Sequence, residues 1–405
     1  MEKIRRIEAR EILNAKGNPT VEAEVETTSG FVAVGSVPSG TSTGSYEACA
    51  LFDGGRRYGG KGVLNAVNNA NSIIAPALTG KSLESLEELD NLMIALDGTE
   101  NKSKLGANAI LAVSVALAKA RANALEKPLY KTLTDRKEYR VPDVIATVIS
   151  GGEFSPSGLD FEDYLYILKD FDSFSSELEA LVMLRKSLEK KLVGKYGVFP
   201  EDGGALAAPV ESTEEAFSLM LENASECGYS SNVTLGLDVA ASELYSKETG
   251  LYKVRGQMTR ENLYGYYSEL VKNYPLTYLE DCFDEDDTEG FRLLTSYGSA
   301  IQNVGDDLFT SNIRRLEKYG DCANGLLLKI NQIGTVTEAV KAAEYAMSRG
   351  MDVTVSLRSG ETADDFIADL SVAVGAKQIK LGSPVREERN VKYNRLLKIA
   401  KELGQ

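Results

Sequence analysis

Residues 325–360 read GLLLKINQIGTVTEAVKAAEYAMSRGMDVTVSLRSG, and this stretch decides the fold. A short apolar run, Gly325 to Leu328, stops on Lys329. An amphipathic helical stretch follows, and a second run, Val353 to Val355, stops on Ser356. Brief apolar runs alternating with helix-length amphipathic segments read as strand, helix, strand. The unit recurs on both sides. Val233 to Leu237 leads to Asp238, Leu276 to Leu279 to Glu280, Ile301 to Val304 to Asp306, and Gln378 to Ile379 to Lys380. From Glu280 onward these polar ends are spaced 26, 23, 27 and 24 residues apart, the length of a strand-loop-helix-loop unit. The repetition predicts a parallel β/α barrel with its chemistry at the C-terminal ends of the strands. A doubly wound open sheet gives similar spacing, but it gathers its site at one switch point and leaves charges on so many consecutive strand ends unexplained.

Upstream the pattern differs. Ile4 to Ile12, Thr20 to Thr27 and Phe31 to Val37 alternate polar and apolar residues between turn clusters, which predicts a three-stranded antiparallel meander. Val63 to Ala75, Leu83 to Leu96 and Ala107 to Leu125 repeat apolar residues at helical spacing. The polar stretch Thr132 to Arg140, followed by Pro142, separates the two regimes. The expected organisation is an N-terminal α+β capping domain, residues 1–132, and a C-terminal β/α barrel, residues 142–405, together an α/β protein.

Two domains also suit 405 residues that are 43% apolar and 26% charged. Against 45 Lys plus Arg stand 60 Asp plus Glu, a net charge of −15 that disfavours nucleic acid and anionic lipid and favours cations. Cys49, Cys227, Cys282 and Cys322 are far apart without C-x-x-C spacing, so they read as reduced thiols in a cytoplasm. The charged first residues contain no signal-peptide core, and no apolar run is long enough to cross a membrane. The chain has no histidine, so acid, base and metal-binding roles fall to Asp, Glu, Lys, Tyr or Cys. Oxygen ligands suit Mg²⁺ or Mn²⁺ better than Zn²⁺.

Three carboxylates, Asp238, Glu280 and Asp306, end neighbouring strands of the expected barrel, and three converging negative charges call for a divalent cation. Each acid taken singly could instead cap the helix that follows it. Lys329 and Lys380 stand on the next strand ends. A lysine closing a buried strand is costly unless it meets an anion. Near bound cations the Lys329 pKa would fall, making it a general base for a proton α to a carboxylate; the alternative is an ion-pair partner with no proton to move. The loop PSGTSTG, residues 38–44, exceeds a tight turn and reads either as a long connection or as a lid. Arg358-Ser359-Gly360 places a guanidinium and backbone amides where a phosphate could sit.

The motifs KGNPTVEAEV (16–25), PSGTSTG (38–44), RYGGKGV (57–63), NKSKLGANAILAVS (101–114), LDVAASELY (237–245), LEDCFDEDD (279–287), VGDDLF (304–309), LLKINQIGT (327–335) and SLRSGET (356–362) resemble those of the enolase family, the phosphopyruvate hydratases. The resemblance covers essentially the whole chain. It implies a TIM-like barrel enzyme of glycolysis, a Mg²⁺-dependent lyase that takes 2-phosphoglycerate to phosphoenolpyruvate. By resemblance, Asp238, Glu280 and Asp306 hold one structural Mg²⁺, and Ser42 joins a second that arrives with substrate. Lys329 matches the base, Lys380 the residue that binds the substrate carboxylate, and Arg358 and Ser359 the phosphate site. The resemblance also implies a homodimer or a larger homo-oligomer.

Several positions depart from the family pattern. Tyr46, Phe154 and Leu357 stand where the family carries histidines. The two glutamates that assist hydroxide departure align with Asp163 and Asp202, each one methylene short, roughly 1.5 Å. A one-residue shift in PEDGG would present Glu201 in place of Asp202. Cys282 replaces a Pro or Gly, either as a buried spectator or as a reactive thiol. Retained metal and lysine positions with an altered phosphate and hydroxide side leave three readings: a divergent enzyme of the same reaction, a paralogue acting on a related phosphate- or phosphonate-bearing acid, and a silent binding protein of this fold.

Overall fold

The computed structural model describes residues 2–41, 43–153 and 155–405, the side chain of Asp202 excepted. Ser42 and Phe154, both singled out above, lie outside the described residues.

The meander forms as the alternation predicts. Strands β1 (Ile4–Leu13), β2 (Pro19–Thr27) and β3 (Val32–Ser36) pair antiparallel in that order. Val21, Ala23 and Val25 on β2 are fully buried. They face the helix Ala107–Ala124, whose many alanines let it sit close to the sheet. The closest approach is at Gly35, where a Cβ would lie 2.6 Å from the Ala112 carbonyl oxygen and 2.6 Å from the Ala116 nitrogen. The helix Leu86–Asp97 is capped by Ser85, and a helical run from Leu64 to Leu78 passes through a π-helical turn, Ala70–Ile74.

The remaining strands are β4 (Asp143–Ser150), β5 (Asp163–Leu168), β6 (Glu201–Asp202), β7 (Ala205–Leu206), β8 (Val233–Asp238), β9 (Tyr245–Ser246), β10 (Leu251–Tyr252), β11 (Leu276–Glu280), β12 (Gln302–Gly305), β13 (Gly325–Leu328), β14 (Asp352–Ser356) and β15 (Gln378–Lys380). Eight of them close a barrel in the order β4-β5-β8-β11-β12-β13-β14-β15, with β15 pairing back to β4. The barrel is not uniformly parallel, however. β5 runs antiparallel to both β4 and β8. The connection 151–162 holds no helix among its described residues, and a parallel return needs a crossover of a dozen or more residues, usually helical. The reversal carries the first residue of β5, Asp163, to the same rim as Asp238, with which it is in register.

Ile145, Leu165, Ile167, Tyr278, Val304 and Leu327 fill the barrel interior as a separate apolar cluster, and the charged strand ends stand above this plug. The N-terminal unit sits on the barrel through specific bonds. Ala15 N–H donates to the Glu361 carbonyl (2.8 Å), Ser36 N–H to Asp364 (3.0 Å), and Lys119 pairs with Asp364 (2.8 Å). Among the described residues no helix is long and apolar enough to cross a membrane.

Candidate active site

The plug has one polar tip: the Tyr278 hydroxyl donates to Glu280 Oε2 (2.7 Å), holding a carboxylate that is wholly inaccessible. Lys380, ending β15, reaches across to Asp238 Oδ2 (2.7 Å), Glu280 Oε1 (2.9 Å) and Asp163 Oδ2 (3.3 Å). Burial, together with the charge of Asp238, pushes the Glu280 carboxyl well up. Asp238 is held below the usual range because Lys380 and a hydrogen bond to Glu280 overcome its own burial. Burial also raises Asp163, although Thr147 Oγ1 donates to it (3.0 Å).

Lys329, at the end of β13, ion-pairs with Asp306 Oδ2, and its backbone N–H donates to Ser311 Oγ (2.8 Å). Its pKa is raised: burial lowers it, but Asp306 and Glu280 prevail over burial and over the repulsion of Arg358 and Lys380. The other oxygen of Asp306 accepts from Gln332 Nε2 (2.7 Å), and Gln332 accepts from Ser311 (2.8 Å). Gln332 and Ser311 were not foreseen from sequence, where nothing separates them from ordinary loop residues.

A second acidic group, Asp281, Asp306 and Asp307, brings one carboxylate oxygen from each within 4.8 Å of the others. Asp281, however, engages both oxygens with the backbone N–H groups of Asp306 and Asp307 (2.8 Å each), so it works as a staple for the loop after β12. Asp238, Glu280 and Asp306 close three adjacent strands as buried carboxyls held by Lys380 and Lys329, and oxygen donors of this kind are the type a hard divalent cation takes. Non-glycine residues with positive φ cluster at this rim, at Ala240 (47°), Asp281 (43°), Thr310 (45°) and Ser311 (54°). Such strain persists where surrounding structure over-determines it, as at functional sites.

Gly40 and Thr41 of the 38–44 loop line the mouth. Ser39 and Gly360 exchange backbone hydrogen bonds (2.9 and 2.8 Å), and the Thr41 and Ser359 hydroxyls pair at 2.8 Å. Arg358 is buried against Glu47 (3.1 Å) and Asn331 (3.2 Å). Beyond the loop, the Tyr46 hydroxyl donates to Asp286 (2.6 Å) under the Arg315 guanidinium, 3.6 Å from the ring centroid. Leu357 packs against the core. Glu201 is paired with the buried Arg185 (2.7 Å), whereas Gly203 and Ala205 of the same hairpin line the mouth. Cys282 is fully buried with its thiol pushed well up by burial, and so is a spectator.

The mouth encloses a cavity of ≈ 130 Å³ in which Asp163, Asp238, Asp306, Lys329, Arg358, Ser359 and Lys380 all take part, so these sequence-predicted residues do meet. Glu162 lines it as well and was missed. A larger cavity of ≈ 670 Å³ between the N-terminal unit and the barrel helices is lined by self-satisfied pairs, Lys102 with Glu338 and Arg314 with Glu100.

Comparison with known proteins places the chain in a family. Residues 4–133 match the family model described as enolase, N-terminal domain, and residues 138–405 match enolase, C-terminal TIM barrel domain. Proteins named enolase from Methanococcus vannielii, Methanopyrus kandleri and Pyrococcus furiosus are 46%, 47% and 47% identical. Those alignments cover 98%, 100% and 98% of this chain and 95%, 97% and 94% of the relatives. With both family models matched along nearly its full length, the chain belongs to the enolase family and is an enzyme of the lyase class.

Proposed function

We propose that this protein dehydrates 2-phosphoglycerate to phosphoenolpyruvate, with Lys329 as the base that removes the α-proton. The observation that carries the reading is the convergence of Lys329, Lys380 and the carboxylates of Asp238, Glu280 and Asp306 on one buried rim. A silent scaffold would gain little from assembling it, since even a paired buried charge cluster is often no more stable than well-packed apolar side chains of similar volume.

Asp238, Glu280 and Asp306 would hold Mg²⁺, and Ser42 would join a second ion once substrate is present. When bound, the cation offsets the second negative charge that the substrate carboxylate acquires on enolisation. Lys380, whose ammonium lies among Asp163, Asp238 and Glu280, would grip that carboxylate. Lys329 would work in its neutral form, which weaker contact with the carboxylates around it would favour. Arg358 and Ser359 would take the phosphate, the guanidinium as a planar donor fixed by Glu47 and Asn331. By their alignment with the family's two glutamates, Asp163 and Asp202 would assist departure of the hydroxide. The chain divides between residues 132 and 142 into cap and barrel, and it works as a homodimer or a larger homo-oligomer.

The test is absorbance at 240 nm after mixing purified protein with 2-phosphoglycerate and Mg²⁺. A rise is expected, falling about 10²–10⁴-fold in Lys329→Ala. No rise, or an undiminished rise in the variant, would overturn the reading.

A further inference from the structure

Departure of hydroxide from carbon 3 needs a proton, and of the side chains aligned with the family's two glutamates, that of Asp202 lies outside the described residues, its neighbour Glu201 is paired with Arg185, and Asp163 is poorly free to give one. Asp163 Oδ2 accepts from both Thr147 (3.0 Å) and Lys380 (3.3 Å). Its neighbour Glu162 differs on each count. It lines the mouth cavity, is one methylene longer, and its carboxylate has no hydrogen-bond or ion-pair partner among the described residues.

Its backbone is fixed nonetheless. Gly151 N–H donates to the Glu162 carbonyl (2.7 Å), and Gly151 and Gly152 lie flat against the segment. A Cβ at Gly151 would stand 2.2 Å from the Phe161 carbonyl oxygen, and one at Gly152 would stand 3.1 Å from Glu162 Cα. Only glycine allows this approach, which sets the root of the Glu162 side chain at the rim.

The topology then gives the decisive relation. Lys329 ends β13 and Glu162 precedes β5. Around the closed barrel, β12, β11 and β8 separate these strands on one side, and β14, β15 and β4 on the other. The two residues therefore stand diametrically opposed across the mouth. A substrate spanning it offers its α-hydrogen to one wall and its 3-hydroxyl to the other. Among the described residues lining the mouth, the other carboxylates without partners fit less well. Asp307 lies on the Lys329 side, its nearest charges being Asp306 and Lys329. Glu243 stands among Glu153 and Glu285, away from both lysines.

We propose that Glu162 is the catalytic acid that protonates the departing 3-hydroxyl; this rests on the Lys329-base reading above. Neutral Lys329 takes the α-proton, and the C–H electron pair enters the enolate. That pair becomes the C2=C3 bond as the C3–O bond breaks, and the oxygen leaves with the Glu162 proton as water. Glu162 ends as a carboxylate and Lys329 as an ammonium, and both reset by exchange with solvent. Burial, with the negative charges of Asp238 and Asp163, pushes the Glu162 carboxyl up to about 8, consistent with a proton held for delivery.

The experiment separates the two proton transfers. In D₂O with Mg²⁺, 2-phosphoglycerate is assayed for phosphoenolpyruvate formation and, by NMR, for α-hydrogen exchange. The wild type, Glu162→Gln, Glu162→Asp, Asp163→Asn and Asp202→Asn are compared. Glu162→Gln is expected to lose dehydration by about 10²-fold or more while exchange stays within about threefold. Glu162→Asp should recover part of the loss. Dehydration within about threefold of wild type in Glu162→Gln would overturn the proposal. So would selective loss in Asp163→Asn or Asp202→Asn alone. Loss of both reactions in both Glu162 variants would also overturn it, since Glu162 would then hold fold or substrate. Failure of the wild type to form product would instead refute the function proposed above.

Discussion

Lys380 offers a quantitative handle on the site. Its ammonium touches three carboxylates at 2.7, 2.9 and 3.3 Å, with only 7% of the side chain exposed. Lys380→Met keeps the stem and removes the charge, leaving Asp163, Asp238 and Glu280 facing one another. Breaking a buried ion pair by deleting one partner costs about 3–5 kcal/mol. At about 2 °C or somewhat more per kcal/mol for a domain of this size, the metal-free melting temperature should fall by roughly 10 °C at pH 8. At pH 5 the deficit should shrink, because the stranded acids can bind protons. Mg²⁺ should then stabilise the variant more than the wild type, since the cation no longer competes with the ammonium for the same oxygens. At a hundred times its Kd a ligand contributes about 2.7 kcal/mol, and tighter binding raises that figure. The assay is thermal unfolding in EDTA and over a Mg²⁺ titration. A metal-free loss under about 2 °C would refute this account of the charge cluster, on the scale just given. A Mg²⁺ shift no larger than that of the wild type would refute it equally.

Two further outcomes follow from positions away from the mouth. Glu177 is buried, accepts from Val144 N–H (2.7 Å), and is pushed from its ordinary 4.5 up to about 8 by burial. The folded state therefore holds this proton more tightly than the unfolded chain, so stability falls as pH rises from about 4.5 to 8, by at most about 1.4 kcal/mol per pH unit. Glu177→Gln should flatten that slope in urea unfolding at several pH values, and parallel curves would refute the linkage. Gly35→Ala inserts a methyl 2.6 Å from two backbone atoms of the helix behind it. An overpacking cost of about 1–3 kcal/mol is expected by urea unfolding, and an unchanged midpoint would show that the helix can shift freely.

Much of the architecture was legible because burial and chemistry coincide on single residues. An apolar run such as Gly325 to Leu328 can stop on a lysine only where the lysine meets anions, and Lys329 meets Asp306. The observed strands β8 and β11 to β15 match the runs read from sequence to within a residue or two at each end. β4 and β5 were not read as strands, because no helix-length segment separates them to mark a unit. Consequently the reversal of β5 was invisible, and with it the placement of Glu162. The only sequence signal was a pair of adjacent acids, Glu162 and Asp163, just ahead of the apolar run Tyr164 to Leu168. The raised Lys329 pKa follows from carboxylates that the sequence did not place beside it, above all Asp306 and Glu280.

The seam where β15 meets β4 has a consequence for assembly. Lys380 pairs in register with Ile145, so residues far apart in sequence join only when the barrel shuts. Antiparallel contacts among β4, β5 and β8 are nearer in sequence and close smaller loops, which favours their earlier formation. A partly built barrel would thus hold Asp163 and Asp238 side by side with no ammonium between them. Seating Lys380 discharges that repulsion, which makes the catalytic charge cluster the latch that fastens the last seam of the fold.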